Sequence, residues 1–213
     1  MVMISEVALS APADVAGFYG GLLGWRHDGG VLRTADGVAV AALSDGADGW
    51  SVAFDAPRER VLAAGAGELG DGTVADPTGV RFRIDAPAVP LPPPGPGRPA
   101  WFEHMSADAA AADRFYGAAF GWGLLPAGPE YAVFLAGEQP VAGRLALDPG
   151  LAAALGARWM VYLAHEDVDA GSARAEELGG RVTVPARDTP TGRLAGVTDP
   201  SGAVFTLLTP APR

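Results

Sequence analysis

Cysteine, lysine and asparagine are all absent from the 213 residues. Without cysteine there are no disulfides, no thiolate metal ligands and no cysteine nucleophile. Without lysine, Schiff-base chemistry and a P-loop are excluded. Every one of the 15 basic residues is therefore arginine; against 25 acidic residues they leave a net charge of −10. An acidic surface repels phosphate backbones, so no nucleic-acid partner is expected. Such charge favours solubility, and part of it can attract a cationic ligand. No apolar run approaches the ~20 residues that span a bilayer, so no membrane partner is expected. The N-terminal residues Met1 to Glu6 lack the basic and apolar regions of a signal peptide, and a cytoplasmic location is the expectation. Nucleophile triads and dinucleotide fingerprints are also missing.

What the chain does have is a repeat. Phe18-Tyr19-Gly20-Gly21-Leu22-Leu23-Gly24-Trp25 recurs as Phe115-Tyr116-Gly117-Ala118-Ala119-Phe120-Gly121-Trp122. Asp76-Pro77-Thr78-Gly79 recurs as Asp199-Pro200-Ser201-Gly202. Two motifs repeated in the same order indicate a duplicated module. Between the copies runs a proline-rich stretch, which disfavours a helix or a central strand and suits an extended spacer. The expected organisation is a first module over 1–85, a linker over 86–98 and a second module over 99–213.

Each half reads alike. A first strand at Met3 to Leu9, or Ala100 to Met105, leads into a helix. In the second half Asp108 is placed to cap a helix over Ala109 to Phe120; in the first, Pro12 and Asp14 mark the start. Short strands follow at Val31 to Thr34, Val38 to Leu43 and Trp50 to Phe54, with counterparts at Tyr131 to Ala136, Val141 to Leu147 and Trp159 to Ala164. A second helix is expected at Arg58 to Leu69 and at Val168 to Leu178. A last strand, Val80 to Ile84 or Ala203 to Leu208, leaves the Asp-Pro-x-Gly turn, whose glycine supplies positive φ.

This duplicated β-α-β-β-β pattern, with both motifs in register, resembles the vicinal oxygen chelate superfamily of glyoxalases, bleomycin-resistance proteins and extradiol dioxygenases. It is most similar to the tandem two-module branch frequent in actinobacteria. The resemblance implies an α+β chain of two glyoxalase-like modules pairing around open sheet clefts. It assigns scaffold roles to Phe18, Tyr19, Phe115 and Tyr116, and helix-ending roles to Gly24 and Gly121.

Enzymes of the superfamily hold a divalent metal on three strands. Counting from the motifs, the corresponding positions are Ile4, Ser51 and Arg83 in the first half and Trp101, Met160 and Thr206 in the second. Neither set is a plausible ligand set, so no metal and no cofactor is expected. His27 is placed in a loop, His165 before a helix, and His104 on the helix side of its strand.

If Ile4 and Trp101 face the cleft, as the resemblance implies, strand alternation puts Glu6 and Glu103 on the same face, two residues on. In the second half the cleft then contains Trp101, Met105, Met160, Tyr162 and Val204, with Glu103 and Thr206 as polar groups. In the first half Arg81 and Arg83 share the face with Glu6. Both glutamates can be solvated or salt-bridged, Glu6 with Arg83 or Arg81. Alternatively Glu103, among apolar neighbours, suits a general base or a cation-binding carboxylate. Two functions stay open: sequestration of a small hydrophobic or cationic molecule, or a metal-independent isomerase, lyase or cyclase using Glu103. A metal-dependent glyoxalase or dioxygenase is the weaker third. The duplication can supply module pairing within one chain, giving a complete monomer, or a homodimer.

Overall fold

The structure, a computed structural model, describes residues 1–84 and 89–211. The first repeat runs β1 (Ile4–Ser10), a 3-10 turn (Ala13–Val15), α1 (Ala16–Leu23), β2 (Arg26–Asp28), β3 (Val31–Arg33), β4 (Ala39–Ser44), β5 (Gly49–Phe54), α2 (Arg58–Ala63), β6 (Gly67–Gly70), β7 (Thr73–Ala75) and β8 (Arg81–Arg83). The second runs β9 (Pro99–Ser106), α3 (Ala109–Phe120), β10 (Gly123–Pro126), β11 (Tyr131–Ala136), β12 (Gln139–Ala146), α4 (Pro149–Leu155), β13 (Arg158–Ala164), α5 (Val168–Glu177), β14 (Arg181–Thr189), β15 (Gly192–Thr198) and β16 (Val204–Pro210). One eight-stranded sheet is ordered β2-β3-β4-β1-β5-β8-β7-β6, the other β10-β11-β12-β9-β13-β16-β15-β14. The two orders are the same, displaced by one repeat. This is the α+β duplication expected from the motifs.

The helix ends follow from local chemistry. Asp108 caps α3 by accepting the Ala111 amide. Gly24 and Gly121 close α1 and α3 at φ 70° and 73°, in the left-handed region where a Cβ is costly.

Several features differ from the sequence expectation. The second helix of the first repeat ends at Ala63 rather than Leu69, because Gly65 turns at φ 107° and Gly67 opens β6. His27 lies on the exposed strand β2, not in a loop. Each sheet gains β6–β7 or β14–β15 as an outer hairpin. β14 is polar, mostly exposed and bulged, so it shows no alternation from which to predict it. Helix α4, capped by Asp148, is an insertion that buries no residue.

By packing, the chain groups into two compact units that do not follow the repeats. One comprises Met1–Ser5, Val52–Pro87 and Trp101–Met160; the other comprises Glu6–Ser51, Ala88–Ala100 and Val161–Arg213. Each unit therefore has residues of both repeats in its core. In the first unit, Phe54, Phe82, Phe115, Tyr116, Phe120, Trp122, Phe134 and Trp159 form a contiguous aromatic core. In the second, Phe18, Tyr19, Trp25, Trp50 and Phe205 form a smaller one.

The same polar scaffold is built in each core. Asp199 Oδ1 accepts the amides of Ser201 and Ala203 and the Ser201 hydroxyl, which fixes the Asp-Pro-x-Gly turn. Its Oδ2 accepts the Tyr19 hydroxyl at 2.9 Å, and Tyr19 in turn accepts the Trp50 indole N–H. In the other unit Asp76 Oδ1 holds its own turn through Thr78 and Val80, while Oδ2 accepts Tyr116, which accepts Trp159. Burial first, then the neighbouring aspartate, pushes both tyrosine phenols well above their usual range, so they remain donors. The motif tryptophans anchor the chain ahead of each first strand. Trp122 donates to the Val2 carbonyl at 2.9 Å, and Trp25 donates to the Gly97 carbonyl at 2.6 Å.

The linker is not a free spacer. Its first residues, 86–88, lie outside the described residues. Val89 is buried, the chain turns over Gly95 to Arg98, and the Gly97 amide bonds the Ala164 carbonyl.

Candidate functional site

Strand β9 divides its side chains between two faces. Phe102, His104 and Ser106 are buried, and the His104 Nε2 contacts Asp76 Oδ2 at 2.9 Å beside Tyr116 and Trp159. His104 is thus a core residue of the scaffold. Its Nδ1 has no hydrogen-bond partner among the described residues. Val7 stands at the matching position of the first repeat, so this histidine distinguishes one core from the other.

Trp101, Glu103 and Met105 occupy the opposite face. The parallel register sets Glu103 beside Gly143 and Met105 beside Leu145 on β12. The antiparallel register then sets Gly143 beside Val133 and Leu145 beside Tyr131 on β11. Across this face Tyr131 donates its hydroxyl hydrogen to Glu103 and accepts the Trp101 indole N–H. Burial, then the Glu103 charge, pushes the Tyr131 phenol up to about 12, with the Trp101 bond opposing. A Cβ on Gly143 would collide with the Tyr131 hydroxyl and stand 3.0 Å from Glu103 Oε1. Glycine here is what allows phenol and carboxylate to meet over the sheet. Glu103 itself is only 6% exposed.

Sequence reasoning placed Trp101, Glu103 and Met105 together on this face. It passed over Tyr131 and Gly143. The signal was present: a glycine inside a strand marks close approach of another group, and Tyr131, Val133 and Leu135 alternate along β11. Met160 is half-buried on β13. In the second unit, Tyr162 on β13 and Thr206 on β16 are register partners and both buried, and Val204 lies two residues before Thr206. In the first repeat, Glu6 is 1% exposed and accepts the Val89 amide at 3.0 Å. Arg81 is exposed and Arg83 half-buried on β8.

A divalent metal does not fit the side chains at the expected ligand positions. The Trp101 indole offers only a donor, and it is given to Tyr131. Met160 offers a thioether and Thr206 a neutral hydroxyl. Their counterparts are Ile4, Ser51 and the cationic Arg83. Hard and borderline divalent ions take carboxylates and imidazoles. Among the described residues, no group of three or more His, Cys, Asp or Glu is placed to hold a metal ion.

Two eight-stranded sheets of one strand order, in a duplicated α+β chain, define a two-module protein of the vicinal oxygen chelate fold. The chain belongs to the glyoxalase/bleomycin resistance protein/dioxygenase superfamily, whose family model matches residues 98–207. It is 34% identical to the anthracycline biosynthesis protein DnrV of Streptomyces peucetius, over 92% of this chain and 88% of that one. It is 32% identical to the anthracycline biosynthesis protein DauV of Streptomyces sp. strain C5, with the same coverage. The Mn(II)-bound glyoxalase from Novosphingobium aromaticivorans shares the fold, with a TM-score of 0.58 and 14% identity, covering 98% of this chain and 81% of that one. Among the described residues no helix is long and apolar enough to cross a membrane.

Proposed function

We propose that this protein binds a small, planar aromatic molecule on the β9–β11–β12 face without a resident metal, in the manner of a bleomycin-resistance protein. The observation that carries the reading is the Trp101–Tyr131–Glu103 chain over Gly143. Trp101 and Met105 provide flat and polarisable apolar surface, and the phenol–carboxylate pair provides directed polar groups. A mostly apolar surface with a few convergent polar groups is the usual make-up of a small-molecule site. Met160 on β13 extends the proposal within the same compact unit, to which Arg81 and Arg83 also belong; Tyr162, Val204, Thr206 and Glu6 belong to the other unit. Two relatives carry anthracycline biosynthesis in their names, which supports a polycyclic aromatic ligand.

The test is calorimetric titration of the full chain with an anthracyclinone, an anthracycline glycoside and simple anthraquinones. At least one should bind in the micromolar range, unaffected by added Mn²⁺ or Ni²⁺. Trp101→Leu should weaken it about tenfold, in line with loss of a stacking contact. Absence of binding across the panel, or binding that requires the metal, overturns the reading.

A second reading rests on the same pair. Tyr131 holds its proton far above neutrality and hydrogen-bonds Glu103. A buried carboxylate next to a neutral phenol is a competent general base. On this reading the protein is a metal-independent isomerase, lyase or cyclase. Turnover of a bound anthracyclinone precursor that disappears in Glu103→Gln while binding persists would select it; unchanged turnover would remove it.

A further inference from the structure

A cavity of about 390 Å³ opens within the second compact unit. None of the residues of the β9–β11–β12 face lines it. Its apolar floor is Leu22 and Leu23, at the end of α1. Its walls are the β3–β4 turn with Asp36, the end of the linker with Arg98, and the end of β13 with His165 and Glu166. The wall is braced by backbone bonds. The Gly97 amide bonds the Ala164 carbonyl, and the Ala164 amide bonds the Arg98 carbonyl.

The polar groups of the cavity are unevenly committed. Asp36 accepts the Thr34 hydroxyl through Oδ1 and an Arg98 guanidinium N–H through Oδ2, the latter at 3.0 Å. The Thr34 bond first, joined by the Arg98 charge, outweighs the opposing effect of desolvation and holds the Asp36 carboxyl below its usual range. The Arg98 charge is thus paired through one terminal nitrogen, while its buried Nε–H has no hydrogen-bond partner among the described residues. His165 accepts the Asp167 amide through Nδ1, so its neutral ring carries the hydrogen on Nε2. The ring is seated against α5, where a Cβ on Gly171 would stand 3.0 Å from His165 Cε1. Glu166 is exposed and makes no side-chain hydrogen bond or ion pair with another described residue. The lining of the cavity thus carries two carboxylates and one guanidinium, an excess of one negative charge.

We propose that this cavity is a second binding site, and that it takes a compact amphipathic cation: an ammonium group held by Glu166 and Asp36, with an apolar body on Leu22 and Leu23. Its volume lies at the small end of the range for small-molecule sites, roughly 300–1,000 Å³. An anion would meet two carboxylates and an arginine whose charge is already opposed by Asp36. The −10 net charge of the chain works in the same direction, by raising the local concentration of cations.

The experiment uses the full chain, followed by amide NMR during titration with protonated phenethylamine, neutral 2-phenylethanol and anionic 3-phenylpropanoate. The amine should shift the Ala35, Asp36, Ala164 and Glu166 amides saturably. The alcohol should bind about fivefold or more weakly and the carboxylate not at all, as expected when one charged contact decides recognition. Glu166→Gln and Asp36→Asn, both at exposed positions, should each weaken the amine severalfold. Glu103→Gln should leave it unchanged, which separates this site from the sheet face. No saturable shift, equal binding of the carboxylate, shifts confined to Trp101 and Tyr131, or indifference to both carboxylate variants would each overturn the proposal.

Discussion

Tyr19 and Asp199 stand 180 residues apart in the chain and share a 2.9 Å hydrogen bond in a buried core. Tyr116 and Asp76 make the reciprocal bond at 3.0 Å. The helix motif of each repeat is completed by the turn motif of the other. These are the residues that the sequence marks as repeated, and their reciprocity accounts for the repetition.

The two bonds are not equivalent, and that difference can be measured. Asp76 Oδ2 also contacts His104, whereas Tyr19 is the side-chain partner described for Asp199 Oδ2. Removing a hydroxyl from a buried network strands its partners, at about 1–3 kcal/mol. Tyr19→Phe and Tyr116→Phe should both destabilise within that range, and Tyr19→Phe should cost more. Urea unfolding followed by tryptophan fluorescence gives both values; equal costs, or a larger cost at Tyr116, would refute the ranking.

Acid sensitivity should depend on His104. Burial raises the Asp76 carboxyl, but the hydrogen bond and charge of the His104 ring, together with Thr78, outweigh it and leave the group below its usual range. A depressed carboxyl contributes stability that is present above the unfolded value of ~4 and fades as the pH falls through the folded value. The protein should hold its stability down to about pH 4 and lose it below. His104→Val, which copies Val7 of the first repeat, should move that loss to higher pH. Unfolding free energies measured from pH 7 to pH 3 check this, and superimposable wild-type and variant profiles would contradict it.

Tyr131 should titrate late. Its phenol is pushed to about 12, with Glu103 second only to burial among the causes. Because the folded value lies above the unfolded ~10, the group contributes stability below pH 10 that is lost between about 10 and 12. Glu103→Gln should bring the Tyr131 titration down toward the ordinary range. Gly143→Ala should do the same by displacing the hydroxyl. Carbon-13 NMR of labelled tyrosine rings follows the residue directly, and a Tyr131 value indifferent to both variants would dissolve the proposed pair.

Separated halves should not be self-sufficient. A fragment of residues 1–86 has Tyr19 without Asp199 and Asp76 without Tyr116; a fragment of 99–213 has the converse. Each also exposes apolar surface that the whole chain buries, so each should aggregate or self-associate. Light scattering of the purified fragments tests this. Two stable, soluble monomers would count against pairing of the repeats within one chain.

Much of the scaffold was legible because its signals are local. Helix α3 matches its expected span, since Asp108 and Gly121 mark both ends chemically. The inner strands show in their apolar alternation. The outer hairpins do not, because β14 and β6 are exposed strands held by pairing rather than by burial. That Trp101, Glu103 and Met105 share one face of β9 followed from alternation; that this face is the cleft was an expectation from the resemblance. Tyr131 did not, because its role depends on a register that brings three strands side by side and on one missing side chain at Gly143. The Tyr–Asp pairing was invisible for the same reason: each member looks like a scaffold residue until the partner repeat is in view.

The reciprocal bonds have a consequence for how such a gene can change. Duplicated modules ordinarily drift apart, one copy conserving the ancestral trait while the other explores. Here a substitution at Tyr19 is felt at Asp199, and one at Tyr116 is felt at Asp76. Neither copy is free to decay, because each repeat carries half of the other's foundation. Divergence is channelled instead to positions outside these bonds, such as Val7 opposite His104, where the two copies have already parted.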